Sequence, residues 1–345
     1  LIFTAELPAK GLEAVVEAGY YTNRWGLSTG PDKASLESLR FAPEGMYLKD
    51  HTVFNENGTW HLFAPMGPEG TMWWDEGSEE SAEHFMSLDL VHWERAATAV
   101  TRGTTPGAFD RQLSGLAPCI IRNGNENLMF FSGWTFAGKT PRNPDGFSTG
   151  IGVAISKDLH HWEKPVSYAL NGLPVKGSDP FVIREESANR WLMFVTRHQA
   201  VAVYQSPDLY QWIEAGLTVD EADLKSVNTG MNPAESPFVM KHPLNGRWIL
   251  FLNGGYALSD DPLNFPAITP YPFKSGIHTF PEPRDEGLGT FYFAEEDGVG
   301  FAHEVIQVNG RWYLTGVVGT DGHTRLKFTP LEWTSDAFRC ILPSS

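Results

Sequence analysis

Acidic side chains recur at one place in the pattern of this chain. Asp50, Asp179 and Glu235 each stand at the head of an apolar, strand-like run, in "KDHTVF", "SDPFVI" and "ESPFVM". Two further runs of this kind, "GLAPCII" and "HEVIQV", carry Ala117 and His303 in the corresponding place. Three carboxyl groups brought to one cavity suit glycoside hydrolysis. One is kept protonated to deliver a proton to the leaving oxygen, and another stays ionised to activate water or attack the sugar. A third raises the pKa of the acid by like-charge repulsion and can hold ring hydroxyls. Taken singly, each acid also reads as a turn residue or a strand cap. That alternative weakens when three acids and a histidine stand in register. No P-loop, Ser-His-Asp order or GxGxxG after a strand offers a stronger competing chemistry.

A repeat supplies the elements that must position these residues. A polar turn, an aromatic and a run of apolar residues recur as "NGTWHLF" (Trp60), "ANRWLMF" (Trp191), "NGRWILF" (Trp248) and "NGRWYLT" (Trp312). A weaker copy, "NENLMFF", puts Asn127 in the aromatic slot, so that successive slots lie 67, 64, 57 and 64 residues apart. Downstream within the units come "SLDLVHWE", "SKDLHHWE" and "SPDLYQWI", with a degenerate "SDDPLNF". Their Asp reads as a turn residue, and the Trp as packing back on the sheet. Each unit is therefore strand, turn, strand, then one or two more strands. Helical periodicity is scarce, and its best stretch, "LEAVVEAG" over 12–19, is short.

About four strands per unit, repeated radially, make a β-propeller. Five units predict an all-β, five-bladed β-propeller forming one domain over 1–345, since each blade buries its faces against its neighbours. Residues 1–40 precede the first unit and can supply a closing strand to the last blade. The innermost strands of a propeller line its axis. Equivalent residues far apart in sequence then converge on one funnel, so Asp50, Asp179, Glu235 and His303 are expected to meet there.

Composition narrows the partners. The chain has 345 residues, 41% hydrophobic and 20% charged, with a formal net charge of −16. That is ordinary globular composition, and an acidic surface repels phosphate backbones, which argues against nucleic acid. No apolar run is long enough for a membrane helix. Cys119 and Cys340 lack the spacing of a zinc site. The sequence begins at Leu1 without a basic-then-apolar leader, so compartment stays open, with export to the periplasm or medium favoured. Oligomeric state is not legible.

At these residues the chain resembles the five-bladed β-propeller glycoside hydrolases of families 32 (invertase and levanase) and 43 (arabinanase, xylosidase and arabinofuranosidase). "HFMSLDLVHWE" and "IGVAISKDLHHWE" are similar to invertase-type blade motifs. "SDPFVI" with "RWLMFV" fits the third blade of either family, and "AESPFV" is closer to the family 43 acid motif. The resemblance implies an oligo- or polysaccharide substrate and hydrolysis of a furanosidic or pentosidic bond, with inversion favoured. It also implies Asp50 as base or nucleophile, Asp179 as orienter and pKa modulator, and Glu235 as general acid. No cofactor is required; His303 resembles a fifth-blade histidine that holds an axial metal, calcium by expectation. Departures from the invertase pattern are "LKDHTVF" at the first acid, with His51 in place of proline, and Ser178 before Asp179 in place of arginine. "SGLAP" makes Ser114 a sugar-binding candidate. Trp73, Trp74 and Trp134 in Gly- or charge-rich loops, with Arg197, His198 and His51, complete the expected substrate-binding set. Two alternatives stay open: a glycoside phosphorylase, for which Arg197 and His198 are the suggestive pair, and a sugar-binding propeller without activity.

Overall fold

The computed structural model describes residues 33–341 apart from 137–146, 225–231, 267, 272–273, 276, 284–288, 294–297 and 321. The helical stretch expected at 12–19 lies outside the described residues. Five small sheets, antiparallel apart from the pairing of Lys274–Ser275 with Gly298–Val308, follow one another along the chain and form the blades of a β-propeller. Blade 1 is built on Thr52–Glu56, Thr59–Pro68 and Ser81–Ser87, and blade 2 on Leu113–Asn123, Glu126–Phe136 and Phe147–Ser156. Blade 3 runs through Ser178–Glu185, Arg190–Arg197, Ala200–Ser206 and Ile213–Val219; blade 4 through Phe238–Lys241, Trp248–Leu252, Gly255–Ser259 and Thr269–Pro270. Blade 5 contains Gly298–Val308, Arg311–Thr320, Arg325–Trp333 and Phe338–Cys340.

The recurrent aromatic slot falls at the start of the second strand in every blade. Its cross-strand partners are Asn55, Arg122, Arg184, Lys241 and Gln307. Where the partner is cationic and the slot is Trp, the charge caps the ring: Arg184 lies 5.2 Å from the Trp191 centroid and Lys241 3.9 Å from that of Trp248. Tight hairpins precede the slot in blades 1 and 5. There Asn57-Gly58 (φ 53° and 89°) and Asn309-Gly310 (φ 48° and 79°) supply the two positive φ values that a type I′ turn requires.

The DLxxW strings form one hydrogen-bond cassette, made three times. Ser87, Ser156 and Ser206 each accept two backbone N–H groups from the following turn. Asp89, Asp158 and Asp208 each accept two more. The indoles of Trp93, Trp162 and Trp212 then donate to the carbonyls of Leu90, Leu159 and Leu209 at 2.9 Å. These acids are turn residues, as expected, and play no part in the site.

Five apolar clusters fill the wedges between neighbouring blades. Leu48, Leu62, Val317 and Phe328 join blades 5 and 1; Phe63, Met129 and Phe131 join 1 and 2; Phe130, Val153, Met193 and Val195 join 2 and 3. Phe194, Val239 and Leu250 join 3 and 4, and Phe251 with Leu314 joins 4 and 5. Each large side chain buried there stabilises by roughly 1.5–3 kcal/mol. The ring is also tied where its ends meet. Thr324 donates to the Leu48 carbonyl at 2.6 Å, and Arg40–Phe41 pairs with Arg325–Trp333. Residues 40–41 of the N-terminal segment thus sit on blade 5, while 1–32 lie outside the described residues.

Candidate active site

Each inner strand is interrupted at the same place by a bulge. Leu116, Ser178 and Phe301 pair with Ser132, Thr196 and Val317, and two residues on the inner strand then oppose one on its partner. Lys49 and Glu235 hold the equivalent register in blades 1 and 4, through Lys49 N–H to Pro65 O (3.2 Å) and Asn253 N–H to Glu235 O (3.0 Å). The first bulge residue is left-handed in all five blades: Asp50 (φ 39°), Ala117 (44°), Asp179 (52°), Ser236 (57°) and Ala302 (53°). A glycine would hold this conformation without strain; these residues do not. The second is His51, Pro118, Pro180, Pro237 or His303. All ten line one axial cavity, with Cys119, Phe181, Phe238 and Glu304.

The sequence register is therefore off by one in two blades. The residue equivalent to Asp50 and Asp179 is Ser236 in blade 4 and Ala302 in blade 5, so Glu235 precedes the bulge and His303 follows its first residue. Glu235 still meets the two aspartates. Its pKa is pushed well above the usual carboxylate range by burial, then by Asp179 and Asp50. Asp50 is raised by burial, then by Asp179 and Glu79, and is lowered by Lys49. Burial raises Asp179 too, against hydrogen bonds that lower it. Three acids from blades 1, 3 and 4 thus converge and cannot all ionise together near neutral pH.

Second-strand residues pin this arrangement from blade to blade. Ser132 of blade 2 accepts the Asp179 N–H at 2.7 Å. Asp179 Oδ2 accepts from Thr196 Oγ1 (3.0 Å) and from the Ser236 N–H (3.3 Å) of blade 4. Asn253 Oδ1 of blade 4 accepts the Ala302 N–H of blade 5 at 2.9 Å, and Glu304 of blade 5 accepts the Val53 N–H of blade 1 at 3.1 Å. Asn232 holds the loop before Glu235, donating to the His198 carbonyl at 2.6 Å. Glu235 also hydrogen-bonds the Asn232 side chain.

His51 and His303 line the axial cavity together with Asp50 and Asp179. His51 Nε2 lies 2.7 Å from Thr315 Oγ1, and His303 Nδ1 lies 3.4 Å from the Thr315 carbonyl. Burial holds both imidazoles neutral, at about 3 for His51 and about 4 for His303. Their other nitrogens, His51 Nδ1 and His303 Nε2, have no partner among the described residues. Calcium takes six to eight oxygen ligands. Besides the Asp50 and Asp179 carboxyls, both raised by burial, the cavity offers two imidazoles, the Cys119 thiol and Glu304, whose burial raises its carboxyl to about 8. No group of three or more His, Cys, Asp or Glu among the described residues is arranged to hold an ion. These donors do not fit a protein-caged calcium, and no step is assigned to one.

The remaining expected residues lie elsewhere. Ser114 is fully buried, and its hydroxyl is committed to Asp110 Oδ2 at 2.9 Å. Arg197 pairs with Glu214 at 2.8 Å, and exposed His198 tops the same hairpin of blade 3. His51 lines the axial cavity, with its Nε2 on Thr315. Trp73, Trp74 and Trp134 form one edge-to-face cluster between blades 1 and 2, with centroids 4.9 and 5.4 Å apart. Sequence reasoning missed Glu79, which lies in the loop-like "GSEES" with no strand signal. It is 3% exposed and close enough to Asp50 to raise it.

The site and fold have known counterparts. The model of glycosyl hydrolases family 43 matches residues 48–256. The chain is 26% identical over 239 residues to an invertase of Schizosaccharomyces pombe, covering 62% of this chain and 37% of that one. It is 25% identical over 309 residues to the extracellular exo-inulinase inuE of Aspergillus ficuum, covering 78% and 50%. The chain thus spans half or less of the length of these relatives. Among solved structures, the Bombyx mori GH32 beta-fructofuranosidase superposes over 97% of this chain and 70% of its own, with a TM-score of 0.60 at 16% identity. The match to the family model takes in blades 1 to 3, part of blade 4 and all three acids, and this chain belongs to glycosyl hydrolases family 43.

Proposed function

We propose that this chain is the catalytic propeller of a glycoside hydrolase that cleaves furanosidic or pentosidic bonds in an oligo- or polysaccharide. The convergence of Asp50, Asp179 and Glu235 on one buried point carries the reading. Glu235, held protonated by burial and two neighbouring acids, gives its proton to the glycosidic oxygen as the C–O bond breaks. Burial and Asp179 raise Asp50 as well, so the productive form is the one in which Asp50 has lost its proton; it then takes a proton from the water that attacks the opposite face of the sugar. Glu235 ends ionised and Asp50 protonated, and exchange with solvent restores both. Asp179, fixed by Thr196 and the Ser236 amide, keeps the pKa of Glu235 high and holds ring hydroxyls. The Trp73, Trp74 and Trp134 cluster supplies aromatic faces to further sugar units.

Relatives named invertase and exo-inulinase favour a fructofuranoside as the first substrate to try. The extracellular inulinase supports export. Arg197 is engaged by Glu214, which leaves a phosphorylase without its main cation. The test is a screen of nitrophenyl arabinofuranoside, galactofuranoside and xyloside, together with sucrose and inulin, with and without phosphate. Phosphate-independent release of sugar is expected, and the first-formed anomer, followed by proton NMR, is the inverted one. No turnover of any of these, or turnover only with phosphate, overturns the reading.

A further inference from the structure

Lys49 is the only cation at the pre-bulge register. Equivalent positions in the other blades hold Leu116, Ser178, Glu235 and Phe301. Lys49 thus takes on blade 1 the place that on blade 4 carries the proposed general acid. It is 9% exposed. An ammonium so buried needs a charged partner, and Glu79 Oε1 lies 3.8 Å from Lys49 Nζ. Glu79 is itself fixed. The Tyr47 hydroxyl donates to Oε1 at 3.1 Å, the Glu79 N–H donates to the Met66 carbonyl at 2.8 Å, and the Ser114 N–H reaches the Glu79 carbonyl at 3.1 Å. The Tyr47 ring is seated against Gly67, where even a Cβ would come within 2.5 Å of it.

We propose that Lys49 and Glu79 are positioning residues: the Tyr47–Glu79–Lys49 chain holds one ammonium at the bulge, where it offsets part of the bias towards protonated Asp50 that burial and the other acids impose. The inference rests on reading Asp50 as the base. Charges reach Asp50 from every side. Asp179 and Glu235 come from blades 3 and 4, Glu79 and Lys49 from blade 1, and neutral His303 and protonated Glu304 line the same cavity from blade 5. Among these described groups Lys49 alone favours the charged form of Asp50, and it acts the same way on Glu235. Glu79 opposes it directly and supports it indirectly, by anchoring the cation. The two residues therefore have opposite signs at Asp50, which a purely structural role would not produce.

The experiment labels aspartate with 13C at the carboxyl carbon, assigns Asp50 by its loss in Asp50→Asn, and follows its titration midpoint. Lys49→Met raises the midpoint by about one unit, Lys49→Arg leaves it within about 0.3, and Glu79→Gln lowers it by about half a unit. The acid limb of kcat/KM against pH moves the same way in each variant. Should Lys49→Met fail to fold, the isosteric Glu79→Gln and the charge-conserving Lys49→Arg carry the test. A Lys49→Met midpoint that does not rise in folded protein or, where that variant does not fold, a Glu79→Gln midpoint that does not move, overturns the proposal. The midpoints are read without substrate. If they move as stated and no glycoside is hydrolysed, the hydrolase reading falls and the positioning role stands.

Discussion

Blades 1 and 3 place an aspartate at the first residue of the bulge, and blades 2 and 5 place an alanine there. The backbone is nonetheless the same: φ is 39° and 52° at Asp50 and Asp179, and 44° and 53° at Ala117 and Ala302. The left-handed bulge is therefore not a response to the carboxylates. It is a property of the scaffold, set by the two-against-one pairing of every inner strand. The chemistry is written on it by choosing which blades carry an acid. Blade 4 shows a second way of using the bulge, with Ser236 in the strained position and Glu235 just ahead of it.

The comparison breaks most sharply if blade 1 is made to resemble blade 2. Asp50→Ala keeps the bulge and removes the proposed base, and should lower kcat on a natural glycan by about 10³-fold or more, with the fold intact by circular dichroism. A loss of less than tenfold would mean that the acid-bearing and alanine-bearing blades do not differ in function.

A middle-sized effect concerns Glu304, which in blade 5 stands two residues after the alanine and binds blade 1. Its folded pKa of about 8 lies above the ordinary 4.5, so the folded state holds a proton that the unfolded chain loses as pH rises through 4.5. Stability from this group is thus full below pH 4.5 and falls as pH climbs towards 8. Glu304→Gln keeps an acceptor for the Val53 amide and does not titrate. Its Tm relative to the parent should rise by several degrees between pH 5 and pH 8, as differential scanning calorimetry can follow. A difference independent of pH would show that Glu304 is already ionised.

The smallest effect tests the strain itself. Ala117→Gly suits the left-handed conformation, and relief of strain exceeds the extra backbone entropy by about 0.5–1 kcal/mol. Urea unfolding should show that gain. A loss of stability would mean that the bulge in the acid-free blades is unstrained.

How much of this was legible depends on which ruler the sequence offers. The aromatic slot marks the second strand in all five blades because Trp60, Trp191, Trp248 and Trp312 answer one packing demand, met in blade 2 by Asn127. The three acids were visible as charges at strand heads. In blade 4 the exact register was not, because counting back from the slot crosses a loop, 242–247, longer than Asn57-Gly58 in blade 1; in blade 5, whose Asn309-Gly310 hairpin is as short as that of blade 1, the count gives Ala302 and the titratable His303 beside it masks the register. The paired residue five places beyond the slot gives the true register, and it becomes known only once strands are paired. Glu79 was hidden for another reason. It reaches the site from a loop, where no periodicity announces burial. Ser114 matched a sugar-contact motif, but its hydroxyl is taken by Asp110.

The tie between the last blade and the first has a bearing on the order in which this protein matures. The contacts that seat blade 1 on blade 5, Val53 to Glu304, Leu48 to Thr324 and His51 to Thr315, span 251, 276 and 264 residues. Loops of that length close late and slowly. Asp50 enters the chain before Asp179 and Glu235, yet its surroundings are completed only when the final strands arrive. A nascent or C-terminally clipped chain would carry all three acids without the blade 5 contacts that complete the surroundings of Asp50.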